Sequence, residues 1–224
     1  MENYRIFDSE LDKLAHKVKQ MCTQVNQQLI DVVIALKKGD LILANAVVKN
    51  DQSINNLDVK IDKLCQKIFA LQQPVASDLR YIISALKINN DLERIGDHAC
   101  NIAKRIEPLQ DYQQLVEELK IDSIGLKTTD LFGDVVELVN THDLKFANQV
   151  MTKAELIKEE CEQIASLILS EMMHQSEVVV VAANILIIIN LFERVASYST
   201  NIAESIIFVV NGEIVKHRKH IENN

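Results

Sequence analysis

Asp51, Asn55, Asp58 and Asp62 recur at intervals of 4, 3 and 4 residues, and Glu93, Asp97 and Asn101 at intervals of 4 and 4. On helices, each set lies along one face. If the two helices are antiparallel neighbours, the stripes converge. Crowded carboxylates repel unless a cation joins them, and hard divalent cations take oxygen ligands. The same spacing also describes a plain solvated face, with Arg80 or Arg94 as ion-pair partners. Two details favour the cation. The stripes run beside an apolar seam, and Glu93-Arg94-Ile95 returns as Glu193-Arg194-Val195, which makes Glu193 a candidate in a second place.

Other groups carry less chemistry. Glu171 and His174 have the Glu-x-x-His spacing of di-iron bundles, but those need a second copy and two more carboxylates. His217 and His220 belong to a basic tail. His98 and Cys100 stand two residues apart, on different helix faces, which is poor geometry for a Cys–His pair; His98 reads as a partner of a nearby carboxylate or as a surface residue. No Gly-rich phosphate loop and no Gly-x-Ser-x-Gly elbow is present. Gly96 lies inside a helical pattern, at a cost of about 0.5–1 kcal/mol relative to alanine, so another element or a ligand is expected to approach it closely.

Long helices must position these residues. The 224 residues include only 5 Gly, 2 Pro and no Trp, with 48% hydrophobic and 25% charged side chains. Such a chain can bury a sizeable core and lacks the turn-formers of a β fold. The net charge of −8 argues against nucleic acid as a partner. Cys22, Cys65, Cys100 and Cys161 are spread among apolar residues and read as buried thiols of a reducing compartment. The start of the chain is too polar for a signal peptide. Residues 178–192 are nearly all apolar, but too short for a span of roughly 20 residues, and read as a buried helix.

The chain repeats itself. Asp40-Leu-Ile-Leu-Ala-Asn-Ala-Val-Val48 returns as Asp143-Leu-Lys-Phe-Ala-Asn-Gln-Val-Met151, an offset of 103 (40 to 143). Asn101-Ile-Ala103 returns as Asn201-Ile-Ala203, an offset of 100, so the second copy is shorter by three residues, most simply at the loop around Pro74. Each copy reads as three helices, one unit over 1–107 and one over 108–224. Leu11, Leu14, Val18, Met21, Val25, Val32 and Leu36 form the first stripe, with a polar gap at Gln28. Gly39 closes that helix and Asp40 caps the next, which runs to about Leu71; the third ends near Ile106. The second unit reads as helices over 110–140, 143–172 and 176–216, with Asp143 and Ser176 as caps. The expectation is an all-α protein of six long helices in two tandem antiparallel three-helix bundles.

Leu71-Gln-Gln-Pro-Val-Ala-Ser-Asp-Leu-Arg80, Asp91-Leu-Glu-Arg-Ile-Gly-Asp-His98 and Asn101-Ile-Ala103, with the repeated Asp40 and Asp143 turns, resemble the signature region of the PhoU family. The resemblance extends over nearly the whole chain. It implies a non-enzymatic, cytoplasmic homodimer that restrains phosphate uptake and phosphate-starvation signalling. Its implied partners are the ATPase subunit of a phosphate ABC transporter and a phosphate-sensing histidine kinase, with the membrane reached only through them. It also implies a divalent or transition metal, iron or zinc first and magnesium or manganese as alternatives. Carried over, Glu93 with Asp97 is the ligand pair, and Asp51, Asp58, Asn55 and Asn101 are its companions. The second copy departs from this pattern. Glu193 is kept, but Ser197 replaces Asp97, Tyr198 replaces His98, and Ala154, Lys158, Cys161 and Ala165 replace the stripe from Asp51 to Asp62. Metal is therefore expected mainly in the first repeat. Two readings compete with this one: a metal-dependent hydrolase or oxidase, and a metal-free structural adaptor. Val178 and Val180, in place of Asp78 and Arg80, leave the last helix apolar nearly all round, so it is expected to meet the other bundle or a second subunit.

Overall fold

The computed structural model describes residues 2–74, 76–174 and 179–212, and among them every regular element is helical. Three long helices, α1 (Glu2–Lys38), α2 (Leu41–Gln72) and α3 (Ala76–Ala103), form the first bundle. A 3-10 turn (Glu107–Tyr112) and a short α4 (Gln113–Glu118) lead to the second bundle of α5 (Ile121–Thr141), α6 (Leu144–His174) and α7 (Val179–Asn211). Gly39 has φ +63°, and the Asp40 carboxylate accepts from the backbone N–H of Ile42 and of Leu43, both at 3.0 Å. Asp143 repeats the cap on Lys145 N at 2.9 Å. Ser176, His217 and His220 lie outside the described residues, as do the side chains of Glu171 and His174.

The continuous helix expected over 110–140 is broken. Lys120 sits at φ 55° between α4 and α5, so the described residues form seven α-helices rather than six. Neither glycine nor proline marks the break. Tertiary packing decides it: Leu109, Val116 and Ile121 are all buried, and Gln110 Nε2 donates to Gly39 O at 3.3 Å. The connector is thereby held against the α1–α2 turn, and a left-handed non-glycine residue, which costs about 1–3 kcal/mol, is tolerated.

Burial obeys the internal repeat. Val18, Met21, Leu29, Val32 and Leu36 on α1 correspond to Ile121, Ile124, Phe132, Val135 and Val139 on α5 at an offset of 103, and all are buried. Ile82, Ala85, Ile88, Leu92 and Ile95 on α3 correspond to Ala182, Ile185, Ile188, Phe192 and Val195 on α7 at an offset of 100, again all buried. The offset changes between α6 and α7, where the sequence placed the deletion. All four cysteines are free and buried.

The bundles pack side by side in opposite directions. Lys87 Nζ lies 5.9 Å above the Phe208 ring, His98 faces Tyr198, and Arg105 Nη1 donates to Asn184 Oδ1 at 3.1 Å. Numbering rises on α3 as it falls on α7. Likewise Lys19 Nζ donates to Asn140 O at 3.1 Å while Lys37 pairs with Asp122 at 3.4 Å, so α1 and α5 are antiparallel. The repeats are therefore related by a pseudo-two-fold axis across the helices. This register explains the apolar last helix. By length and composition α7 is apolar enough to cross a membrane, yet it packs on α6, α5 and α3 of its own chain. The other bundle covers one side of α7, but Val180, on which the expectation rested, stays 72% exposed, and Val178 lies outside the described residues.

A candidate cation-binding seam between α2 and α3

The α2–α3 turn brings the two acidic stripes to a common seam beside the core. Asp51, Asn55, Asp58 and Asp62 are half-buried on α2, each next to a buried apolar residue such as Ile54, Leu57 or Ile61. Glu93 and Asp97 are half-buried on α3, and Asn101 is exposed. Burial pushes the Glu93 carboxyl above its ordinary value, and the negative charges of Asp97, Asp58 and Asp51 push it further, against a lowering by Arg94. Burial followed by Asp62 raises Asp58 in the same direction, opposed by a hydrogen bond from Asn89. The stripes therefore share one field. Arg94 approaches Glu93 at 3.7 Å but stays exposed, which gives weak neutralisation.

Two polar residues that the spacing did not select organise the acids. Asn89, 1% exposed, donates from Nδ2 to Asp58 Oδ1 at 2.6 Å, to Asp62 Oδ1 at 3.2 Å and to Asp58 O at 3.2 Å. A signal was available, because Asn89 extends the series 93, 97, 101 backwards by another four. Gln28 on α1, 5% exposed, donates from Nε2 to Asp51 Oδ1 at 3.2 Å and to Val47 O at 3.4 Å, while its Oε1 has no donor. Its signal was the polar gap in the apolar stripe of α1. Asn55 donates to the other Asp51 oxygen at 2.9 Å.

Gly96 is where these helices meet. A Cβ there would stand 3.1 Å from Gln28 Oε1, 3.4 Å from Ile54 Cδ1 and 3.5 Å from Asp51 Oδ1. The expected close approach is thus made by side chains of α1 and α2. Gly96→Leu should separate α3 from the seam and lower stability by about 1–3 kcal/mol, read as the urea midpoint. An unchanged midpoint would show that the seam is loosely packed.

His98 donates to no carboxylate. Its ring lies 5.6 Å from that of Tyr198, tilted by 39°, and neither nitrogen has a hydrogen-bond partner. Burial, then Arg194, lowers its pKa, favouring the neutral ring. Residues 98 and 198 occupy equivalent places in the repeats, so the pair marks the pseudo-two-fold axis.

The donor chemistry of the seam suits a hard cation: carboxylate and amide oxygens, unneutralised charge, and a buried acceptor on Gln28 without a donor. Among the described residues, however, no three His, Cys, Asp or Glu side chains are gathered as a finished ligand set. The acids are presented singly and in pairs along the seam. In the second bundle Lys158 lies within 3.9 Å of Glu155, and Glu193 raises the pKa of Cys161 across α6, after burial. Glu160 acts on Cys161 in the same sense, so that place sets a buried thiol beside two carboxylates.

A family model described as "PhoU domain" matches residues 18–106 and again 121–206, the two repeats just described. The chain belongs to the PhoU family. Its relatives include the phosphate-specific transport system accessory protein PhoU of Serratia marcescens, 31% identical over 94% of this chain and 87% of the relative. The PhoU homolog of Clostridium acetobutylicum is 30% identical over 94% of this chain and 97% of its own length. Among solved structures, PhoU from Pseudomonas aeruginosa superposes with a TM-score of 0.85 at 30% identity, covering 92% of this chain and all of that one. The phosphate transport system regulatory protein PhoU from Streptococcus pneumoniae gives the same TM-score over 94% of this chain. The PhoU fold thus accounts for both bundles and for the order of the helices.

Proposed function

We propose that this protein is a cytoplasmic accessory protein of a phosphate transport system. In this reading it is a non-catalytic helical adaptor that restrains phosphate uptake and phosphate-starvation signalling. The observation that carries it is the nearly end-to-end likeness, over both repeats, to proteins named as accessory to phosphate-specific transport. The partners that fit are the transporter's ATPase subunit and a phosphate-sensing histidine kinase, engaged by a homodimer. In a bacterium deprived of its own PhoU, this chain is expected to restore repression of a phosphate-starvation reporter at high phosphate. Soluble, folded protein without restored repression would overturn the reading.

Within it, Glu93, Asp97, Asp51 and Asp58, with Asn55 and Asn101, would hold a divalent or transition metal: iron, zinc, magnesium or manganese. The ion would neutralise the seam and tie α2 to α3. The raised Glu93 and Asp58 support this, since each carries repulsion that a cation relieves. Glu193, beside Cys161 and without a counterpart of Asp97, would hold metal weakly at most. Elemental mass spectrometry on untagged protein should find at least one equivalent of metal per chain, lost in Glu93→Ala/Asp97→Ala and kept in Glu193→Ala. Equal metal in wild type and the double variant would remove the seam from the mechanism.

A further inference from the structure

The two repeats differ in a groove between α1 and α2, and the second repeat shows what the first lacks. In the second bundle, Lys153 of α6 reaches between two acids of α5, with Nζ 2.6 Å from Asp130 Oδ2 and 2.7 Å from Asp134 Oδ2. At the offset of 103, Lys153 corresponds to Asn50, Asp134 to Asp31 and Asp130 to Gln27. In the first bundle those three residues line an open groove of about 250 Å³, completed by Gln24, Gln28 and Ser53. One anionic carboxylate is retained there, and the long cation that reaches its counterpart is missing.

The groove wall is held in place. Gln27 Nε2 donates to Asp31 Oδ1 at 2.8 Å, and Ser53 Oγ donates to Gln24 Oε1 at 3.0 Å. Asp31 Oδ2 is left for another donor. Gln28, which also lines the groove, is 95% buried (5% exposed), but its Nε2 donates to Asp51 and its Oε1 lies beside Gly96 of α3, so Asp31 is the acceptor that faces the groove. Carboxylate and amide oxygens with no cation among the lining residues select a group that brings charge and N–H donors together. The arrangement around Lys153 identifies such a group within the same chain.

We propose that the first-repeat groove binds a primary alkylammonium group, its –NH₃⁺ on Asp31 where Lys153 stands on Asp134 and its alkyl stem along Val47 and Ile54. The site adjoins the α2–α3 seam through Gln28 and Ile54, but none of the seam's carboxylates lines it. Two sources supply this chemistry: a free diamine, and a lysine side chain of a protein. Calorimetric titration of the full chain with 1,4-diaminobutane and with Nα-acetyl-lysine methylamide separates them. Tetramethylammonium, which has no N–H, serves as control at matched ionic strength.

At least one of the two amines is expected to bind saturably and the control not at all. Binding of the diamine alone assigns free polyamines, and binding of the lysine amide alone assigns a partner's lysine. Asp31→Asn should weaken binding about tenfold, the worth of one charge-assisted hydrogen bond. Asp134→Asn and Glu93→Ala/Asp97→Ala should leave it unchanged. Asn50→Lys rebuilds the second-repeat arrangement, so it should raise the melting temperature without ligand and abolish binding. Failure of both amines to bind, equal binding by Asp31→Asn, or full binding by Asn50→Lys would overturn the proposal.

Discussion

Phe192→Ala is expected to lower the stability of the whole chain by about 3–5 kcal/mol, as a shift of one cooperative urea transition. Phe192 is fully buried on α7, the helix that packs on α6, α5 and α3 at once. Its ring lies where a Cβ on Gly125 of α5 would come within 3.2 Å of Cζ, a space left open by the absence of a side chain. Truncation removes the largest buried group on α7 and leaves a cavity that two rigid helices cannot close. Because α3 and α7 share one core, the loss should reach both bundles. Circular dichroism and a probe confined to the first bundle should report the same lowered midpoint. Separate midpoints would show that the bundles unfold independently, and the pseudo-two-fold contact would then be too weak to couple them.

Asp91→Asn should raise stability at neutral pH by about 2–3 kcal/mol and flatten its dependence on pH. Asp91 is 7% exposed, and burial pushes its pKa up to about 6 from 3.8. The nearby amides of Asn201 and Asn90 and the charge of Lys87 act the other way, while Glu204 adds to the rise. The unfolded chain loses this proton near pH 4 and the folded protein only near pH 6. Protonation therefore favours the fold. Asp91 adds no penalty below about pH 4, costs progressively more between pH 4 and 6, and costs a constant amount above. The asparagine variant keeps the amide contacts and removes the charge. Urea midpoints at pH 4, 5, 6 and 7 should diverge from wild type across that window and stay apart above it. Parallel midpoints throughout would show that Asp91 is solvated in the folded protein. Glu93 and Asp58 are raised as well, so the wild type alone would not isolate the effect.

Asp91 had no role in the reading of the sequence, where it stood only as the first residue of Asp91-Leu-Glu-Arg. Its neighbours explain why. Asn201 and Glu204 come from α7, and nothing local announces that α7 runs antiparallel to α3. The acids of the seam were legible because they obey a period on their own helices: Asp51 through Asp62 on α2, and Glu93 and Asp97 on α3. Gln28 is a single polar residue in an apolar stripe, and Asn89, though it continues the period of Glu93 and Asp97, is buried; the role of each depends on which helix lies opposite.

The sequence by itself determined the helices, their caps at Asp40 and Asp143, the internal repeat, and the family. These rest on interactions within one helix or turn, and on a repeat that needs only comparison of the chain with itself. Tertiary structure decided the break at Lys120, because burial of Leu109, Val116 and Ile121 outweighs the helical preference of the connector. It also decided that the other bundle covers one side of α7, that His98 meets Tyr198 on the pseudo-two-fold axis, and that Lys153 fills a place Asn50 leaves open. Each of these depends on how rigid helices are rotated and aligned against one another. That alignment is set by the summed fit of many apolar side chains, which no local pattern of residues encodes.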